Sequence, residues 1–139
     1  MKKTKLIIEH SYDFDLLGII STIRFYKAAW SINNCLNIRF IKDEDLTLEI
    51  KDARPSIFGS YIFETEYCCI QLYKNKSIDG ENAYLIPEMQ HYDYILKTSQ
   101  ESQSFAGEEI MKALKEVPWI QYIAAIEVNK LKSKDNLLT

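Results

Sequence analysis

The chain predicts an α+β fold: a single domain, 1–139, with a mostly antiparallel sheet of about 6–7 strands and two helices packed on it. Three observations carry this. Apolar residues at helical spacing occur only near the two ends, whereas the middle holds short alternating segments separated by polar turns. With 4 Gly and 3 Pro there is no flexible linker to divide the chain. A length of 139 residues is enough for one core and too short for two ordinary domains.

Element by element, Lys5–Glu9 reads as the first strand, and Ser11-Tyr12-Asp13 offers side chains that cap a helix start. The spacing of Leu16, Ile19, Ile23, Tyr26 and Trp30 predicts a helix from Phe14 to Asn33 with that stripe inward, and Asn33-Asn34 reads as its stop. Asn37–Lys42 and Leu46–Lys51 alternate as strands around the polar turn 42–45. Pro55, which cannot donate to a ladder, separates them from the hairpin Ile57–Thr65 and Tyr67–Tyr73, with its turn near Glu64–Glu66. Tyr92–Thr98 is a further strand. Phe105–Glu116 is the second helix, with Ile110, Leu114 and Val117 inward, ended by Pro118. Ile120–Val128 closes the order; its nearly all-apolar face Ile120, Tyr122, Ala124, Ile126 and Val128 predicts a covered, central strand. The βα-ββββ-βαβ order contains ferredoxin-like elements, and each βαβ unit is expected to cross over right-handedly.

On the first helix, Gly18, Phe25, Ala28, Ala29 and Ile32 form a second apolar stripe away from the core stripe. Two explanations fit: a homodimer contact through this flank, where small residues admit another backbone, or packing against the second helix or a loop.

The net charge of -3, with Lys and Arg scattered, argues against phosphate-driven nucleic-acid binding. No apolar run approaches the ~20 residues of a membrane span, and Leu6-Ile7-Ile8 after the basic start is too short for a signal peptide, so a cytoplasmic protein is expected. Three cysteines without a Cys-x-x-Cys fit buried inert thiols, and zinc is not expected. Nine Tyr, six Phe and two Trp suit half-buried sheet positions.

Candidate chemistry concentrates in 84–96. Glu88, His91 and Asp93 are residue types for acid–base work or metal binding. Their spacing on a loop entering a strand does not require convergence. His91 and Asp93 would share one strand face, with Tyr92 and Tyr94 on the other. The structural alternative has Pro87 fixing the backbone, Glu88 accepting hydrogen bonds from loop amides and Asp93 ordering the strand start. A second ionisable set, His10, Asp13 and Asp15, sits at the first strand-to-helix turn, where capping explains Asp13. There is no Gly-x-Ser-x-Gly and no P-loop, so no catalytic residue, cofactor or metal is expected.

Ile86-Pro87-Glu88, followed after four residues by Asp93-Tyr94, resembles the signature of the bacterial family called IPExxxDY, with four intervening residues where the family label has three. The Leu16–Trp30 segment and the end 129–134 are similar too, so the resemblance spans nearly the whole chain, with only the central motif distinctive. It implies an origin in Bacteroidetes-type bacteria and carries no activity or catalytic residues. Separately, Tyr92–Val128 is similar to the βαβ half of small-ligand regulatory domains of the ACT and Lrp-effector type, though without the glycine common at their helix-to-strand turn; that is likeness of fold alone. The resulting expectation is a non-enzymatic interaction or regulatory module that self-associates as a homodimer and meets an unidentified protein partner. The alternative is a small-ligand binder or enzyme with a pocket near Pro87, Glu88, His91, Asp93 and Tyr94.

Overall fold

A computed structural model describes residues 14–48, 55–66, 68–78, 83–99 and 107–137. Its strands are β1 (Phe14–Ile20), β2 (Ile41–Lys42), β3 (Leu46–Leu48), β4 (Ser56–Phe58), β5 (Ser60–Glu64), β6 (Cys69–Lys74), β7 (Tyr94–Ser99) and β8 (Tyr122–Ile126), with helices α1 (Phe25–Leu36) and α2 (Gly107–Leu114). Six strands form one antiparallel sheet in the order β2-β5-β6-β7-β1-β8, and β3-β4 form a separate pair. The α+β class expected from the sequence is what the chain adopts.

The order has a simple logic. β1 and β6 are each antiparallel to β7 and so run parallel, with β7 between them. β7 and β8 likewise run parallel, with β1 between them. Two split βαβ units thus interlock, as in ferredoxin-like sheets, and β5 and β2 extend the β6 side.

Both faces of the sheet are buried. On one, Leu17, Ile19, Ile70, Leu72 and Leu96 meet Ala28, Ala29 and Ile32 of α1 and Ile110 and Leu114 of α2. On the other, Leu16, Tyr73, Ile95 and Ile126 meet Phe58, Leu85, Ile86, Leu131 and Leu137. Among the described residues no α-helix covers this second face; loop 83–93 and the C-terminal 3₁₀ turns do. Among the described residues no helix is long and apolar enough to cross a membrane.

The main departure from the sequence reading lies in 14–33. The expected helix is β1, then the turn Ser21–Arg24, then α1, which runs on past Asn33-Asn34 to Leu36. A strand buried on both faces has apolar residues everywhere, and such a run matches a helical stripe as readily as a strand. Leu16 and Ile19, expected to share a stripe, therefore point to opposite faces. In α1 the inside and outside are exchanged: Tyr26 and Trp30 are 57% and 66% exposed, while Ala28, Ala29 and Ile32 are buried. The small residues do admit another backbone, and it belongs to the chain's own sheet. The proposed interface set is thereby corrected. Gly18 lies under Tyr92, Phe25 packs against Tyr61 and Tyr94, and the other three are core.

Smaller corrections follow local chemistry. Asn37 takes a left-handed conformation (φ 55°, ψ 45°), its N–H bonds Asn33 O, and the following strand shrinks to Ile41–Lys42. The expected strand Ile57–Thr65 divides at Gly59, where a Cβ would meet the Phe25 ring at 2.8 Å; β4 pairs with β3 on one side of the break and β5 with β6 on the other. The hairpin turn near 64–66 is present, closed by Thr65 N–H to Cys68 O. β7 begins about two residues later than expected, and α2 is described from Gly107 onward. Among the described residues β8 lies at the sheet edge rather than its centre, and Tyr122, on the face expected to be covered, is 54% exposed; cover from above and below says nothing about hydrogen bonding on the two sides of a strand. Lys5–Glu9, His10 and Asp13 fall outside the described residues.

Candidate functional site

The segment 83–94 follows from one buried residue, where the sequence predicts the start of a weakly ordered stretch, Asn75–Asn82. Asn75, at the end of β6, is fully buried. Its Nδ2 donates to Met89 O and Tyr92 O, both at 2.9 Å, and its Oδ1 accepts from Ile86 N–H at 3.0 Å. Its backbone N–H reaches Asp93 O and its carbonyl accepts from Leu85 N–H. A single side chain thus holds three points of the loop, which lets Leu85 and Ile86 enter the core before Pro87–Met89 form a 3₁₀ turn. Pro at the start of that turn loses no hydrogen bond.

Glu88 projects from the turn toward the C-terminal tail. Its Oε2 accepts from the Lys132 and Ser133 N–H groups (3.1 Å for Ser133), and its Oε1 accepts from Ser133 Oγ at 2.6 Å. Partial desolvation pushes the carboxyl up, but the Ser133 hydroxyl and the backbone amides outweigh it and hold it below its ordinary value. Asn136 Nδ2 adds a bond to Leu85 O, and Lys97 Nζ crosses the face to Leu137 O with its charge 4.6 Å from the Phe14 ring. Burial lowers the Lys97 ammonium, with the Cys69 sulfur opposing that shift. The loop, the tail and the sheet are one packed unit.

The remaining motif residues diverge. Asp93 Oδ2 accepts from Ser21 N–H at 2.9 Å, and its own N–H donates to Ile19 O, joining the start of β7 to the end of β1. Tyr94 turns to the helix face and donates its hydroxyl to Ile23 O; burial, then the charge of Asp93, pushes it up to about 12. Tyr92 points to the opposite face, over Gly18, so the expected shared face for the two tyrosines is corrected. His91 is exposed, its ring 4.2 Å from that of Tyr92. Glu88 and Asp93 are therefore bound to different partners, and the set does not converge.

Asp93 and Tyr94 do line a cleft of about 490 Å³, with Ser21, Thr22, Lys74, Lys76, Tyr84 and Gln90; Glu88 and His91 are not on its wall. The lysine pair was missed: Lys74-x-Lys76 joins the cleft only because β6 and β7 are neighbours. A second, apolar groove of about 590 Å³ lies on α1, lined by Ile23, Tyr26, Lys27, Trp30, Ser31 and Trp119. Its signal, Tyr26 and Trp30 one helical turn apart, was visible but assigned to the core.

Among the described residues nucleophilic chemistry has little to work with. Partial desolvation pushes the Cys35 and Cys69 thiols up, the reverse of an activated thiolate. Cys35 is exposed, which corrects the expectation that all three thiols are buried. Among the described residues no group of His, Cys, Asp or Glu is arranged to hold a metal ion. Asp15 serves structure, accepting the Gly107 N–H at the start of α2.

No family profile matches the chain, and no curated protein matches its sequence.

Proposed function

We propose that this chain is a non-enzymatic interaction module of the IPExxxDY type, cytoplasmic and self-associating, that receives a protein partner on the groove of α1. The observation that carries the reading is the pair Tyr26 and Trp30, 57% and 66% exposed, which with Trp119 frames an apolar groove of about 590 Å³. Large aromatics are enriched at protein interfaces because they bury much area with little loss of side-chain freedom. The motif residues support the same reading. Glu88 and Asp93 have backbone amides as partners, as expected of a structural loop rather than of groups held ready for chemistry.

The test is recovery of tagged wild-type and Trp30→Glu chains from the native host, with and without ribonuclease. The reading expects a stoichiometric protein that survives ribonuclease and is lost from the variant, with unchanged melting temperature. Equal recovery by both chains would refute it.

A second reading, a small-ligand binder, is favoured by the cleft beside Asp93 and Tyr94, where Lys74 and Lys76 supply positive charge. It expects metabolites that raise the melting temperature of wild type but not of Lys74→Ala/Lys76→Ala.

A further inference from the structure

The six-stranded sheet ends in two edges of different character. β2 is two residues long, and its Lys42 is tied to Asp45 at 2.7 Å, so a charge stands on that edge. Charged, very short edge strands resist pairing with another chain. β8 is five residues long, Tyr-Ile-Ala-Ala-Ile, with neither a charge nor a proline. Among the described residues no strand lies on its outer side. An edge of this kind presents unpaired N–H and C=O groups, and a further strand is what satisfies them.

We propose that β8 pairs antiparallel with β8 of a second copy of this chain, about a two-fold axis through Ala124. The inference rests on the self-association in the proposed function and assigns a surface to it. Antiparallel pairing of a strand with itself is isologous, so it closes into a dimer instead of a fibre. In this register Tyr122, which is 54% exposed, faces Ile126 of the copy, an aromatic against a β-branched residue. Ile123 faces Ala125, large against small. Just beyond the strand, Gln121 faces Glu127, an amide against a carboxylate; among the described residues of its own chain Glu127 has an exposed pair with Lys130 at 3.4 Å. No like charges meet.

The helix layer carries the same complementarity. The two-fold axis stands perpendicular to the sheet, so it sets α2 antiparallel to its copy on the same face. Glu108 and Met111 share a recess with Ala125 and Ile126, which places that flank of α2 beside β8. Lys112 and Lys115, four and seven residues on from Glu108, continue the flank. Each copy's Glu108 therefore lies toward the other's lysines. A foreign strand would satisfy the backbone of β8 without this pattern of charges, which is why the second copy is the occupant the surface fits.

The test is sedimentation equilibrium of the full chain as wild type, Gln121→Glu, Gln121→Lys and Trp30→Glu. The proposal expects a wild-type dimer that Gln121→Glu weakens and Gln121→Lys strengthens, each by roughly 2- to 30-fold in Kd from two symmetric cross-strand pairs. Opposite responses at one exposed position do not arise from damage to the fold. A dimer indifferent to both Gln121 variants but lost in Trp30→Glu would overturn the β8 surface and leave self-association standing. A monomeric wild type would overturn both, and slow amide exchange along β8 in that monomer would assign the edge to another segment of the same chain.

Discussion

Asn75→Ala removes the side chain that holds loop 85–93 to the sheet, and the cost can be worked from its partners. Three hydrogen bonds of 2.9, 2.9 and 3.0 Å disappear together. Left without a partner are Tyr92 O and Ile86 N–H in buried surroundings, whereas Met89 O keeps the Tyr92 N–H at 3.2 Å. An orphaned buried polar group costs about 1–3 kcal/mol, and the third, still bonded once, costs less. Allowing for relaxation, the loss should be about 3–5 kcal/mol, out of a total stability of roughly 5–15 kcal/mol for a domain. For a chain of this length that lowers the melting temperature by about 10–20 °C. Urea unfolding followed by circular dichroism measures it. Asn75→Asp separates the donor from the acceptor: it can still accept from Ile86 N–H but turns a carboxylate toward two carbonyl oxygens. It should be at least as damaging at neutral pH and partly recover in acid. A loss under about 1 kcal/mol in Asn75→Ala would show that the loop is held by Leu85 and Ile86 in the core, and the reading of Asn75 as its organiser would fall.

Other outcomes follow from the same geometry. Glu88→Gln should cost about 1 kcal/mol, at the low end for a charged acceptor because the carboxylate is exposed. Since the folded carboxyl lies below its ordinary 4.5, its contribution is present above that value and is lost as pH falls through the lower folded one; an acid titration of wild-type stability that Glu88→Gln flattens would verify this. Tyr94→Phe should cost about 1 kcal/mol for the bond to Ile23 O. The raised Tyr94 hydroxyl gives the opposite pH sense: its stabilisation is full below the ordinary value of 10.0 and is lost as pH rises through about 12, visible as one late-titrating tyrosine in the ultraviolet. Gly18→Ala should lose about 1–3 kcal/mol of stability, read as a lower denaturant midpoint, because the new Cβ would stand 2.6 Å from the Tyr92 ring, and Tyr92→Leu should restore part of it.

That Glu88 accepts backbone amides was legible in the sequence as one of two readings of the motif, but which amides it accepts was not. Nothing near 84–96 announces that Glu88 reaches residues 132–133 or that Asn75 reaches back across eleven and more positions to Ile86, Met89 and Tyr92. Those partners are set by the neighbour relation of β6 and β7 and by the return of the tail. Lys74 and Lys76 belong to the cleft for the same reason. Tyr26 and Trp30 failed differently: helical spacing shows that two residues share a face but does not say whether that face looks in or out. Gly18 and the β-branched pair Ile19-Ile20, all poor in a helix interior, followed by Ser21-Thr22, were a signal for a strand and a break that a continuous apolar stripe concealed.

By itself the sequence determined the class: two helices, several short strands, one domain and a hairpin turning near 64–66, because periodicity, proline and polar turns act over a few residues. It also determined that α1 has a face of small residues. Only the tertiary structure decided that this face meets the chain's own sheet, that 14–20 is a strand enclosed by β7 and β8, and that β8 stands at an edge. Burial on both faces erases the period that would reveal a strand, and strand order depends on contacts between residues far apart in the chain, which local pattern does not encode.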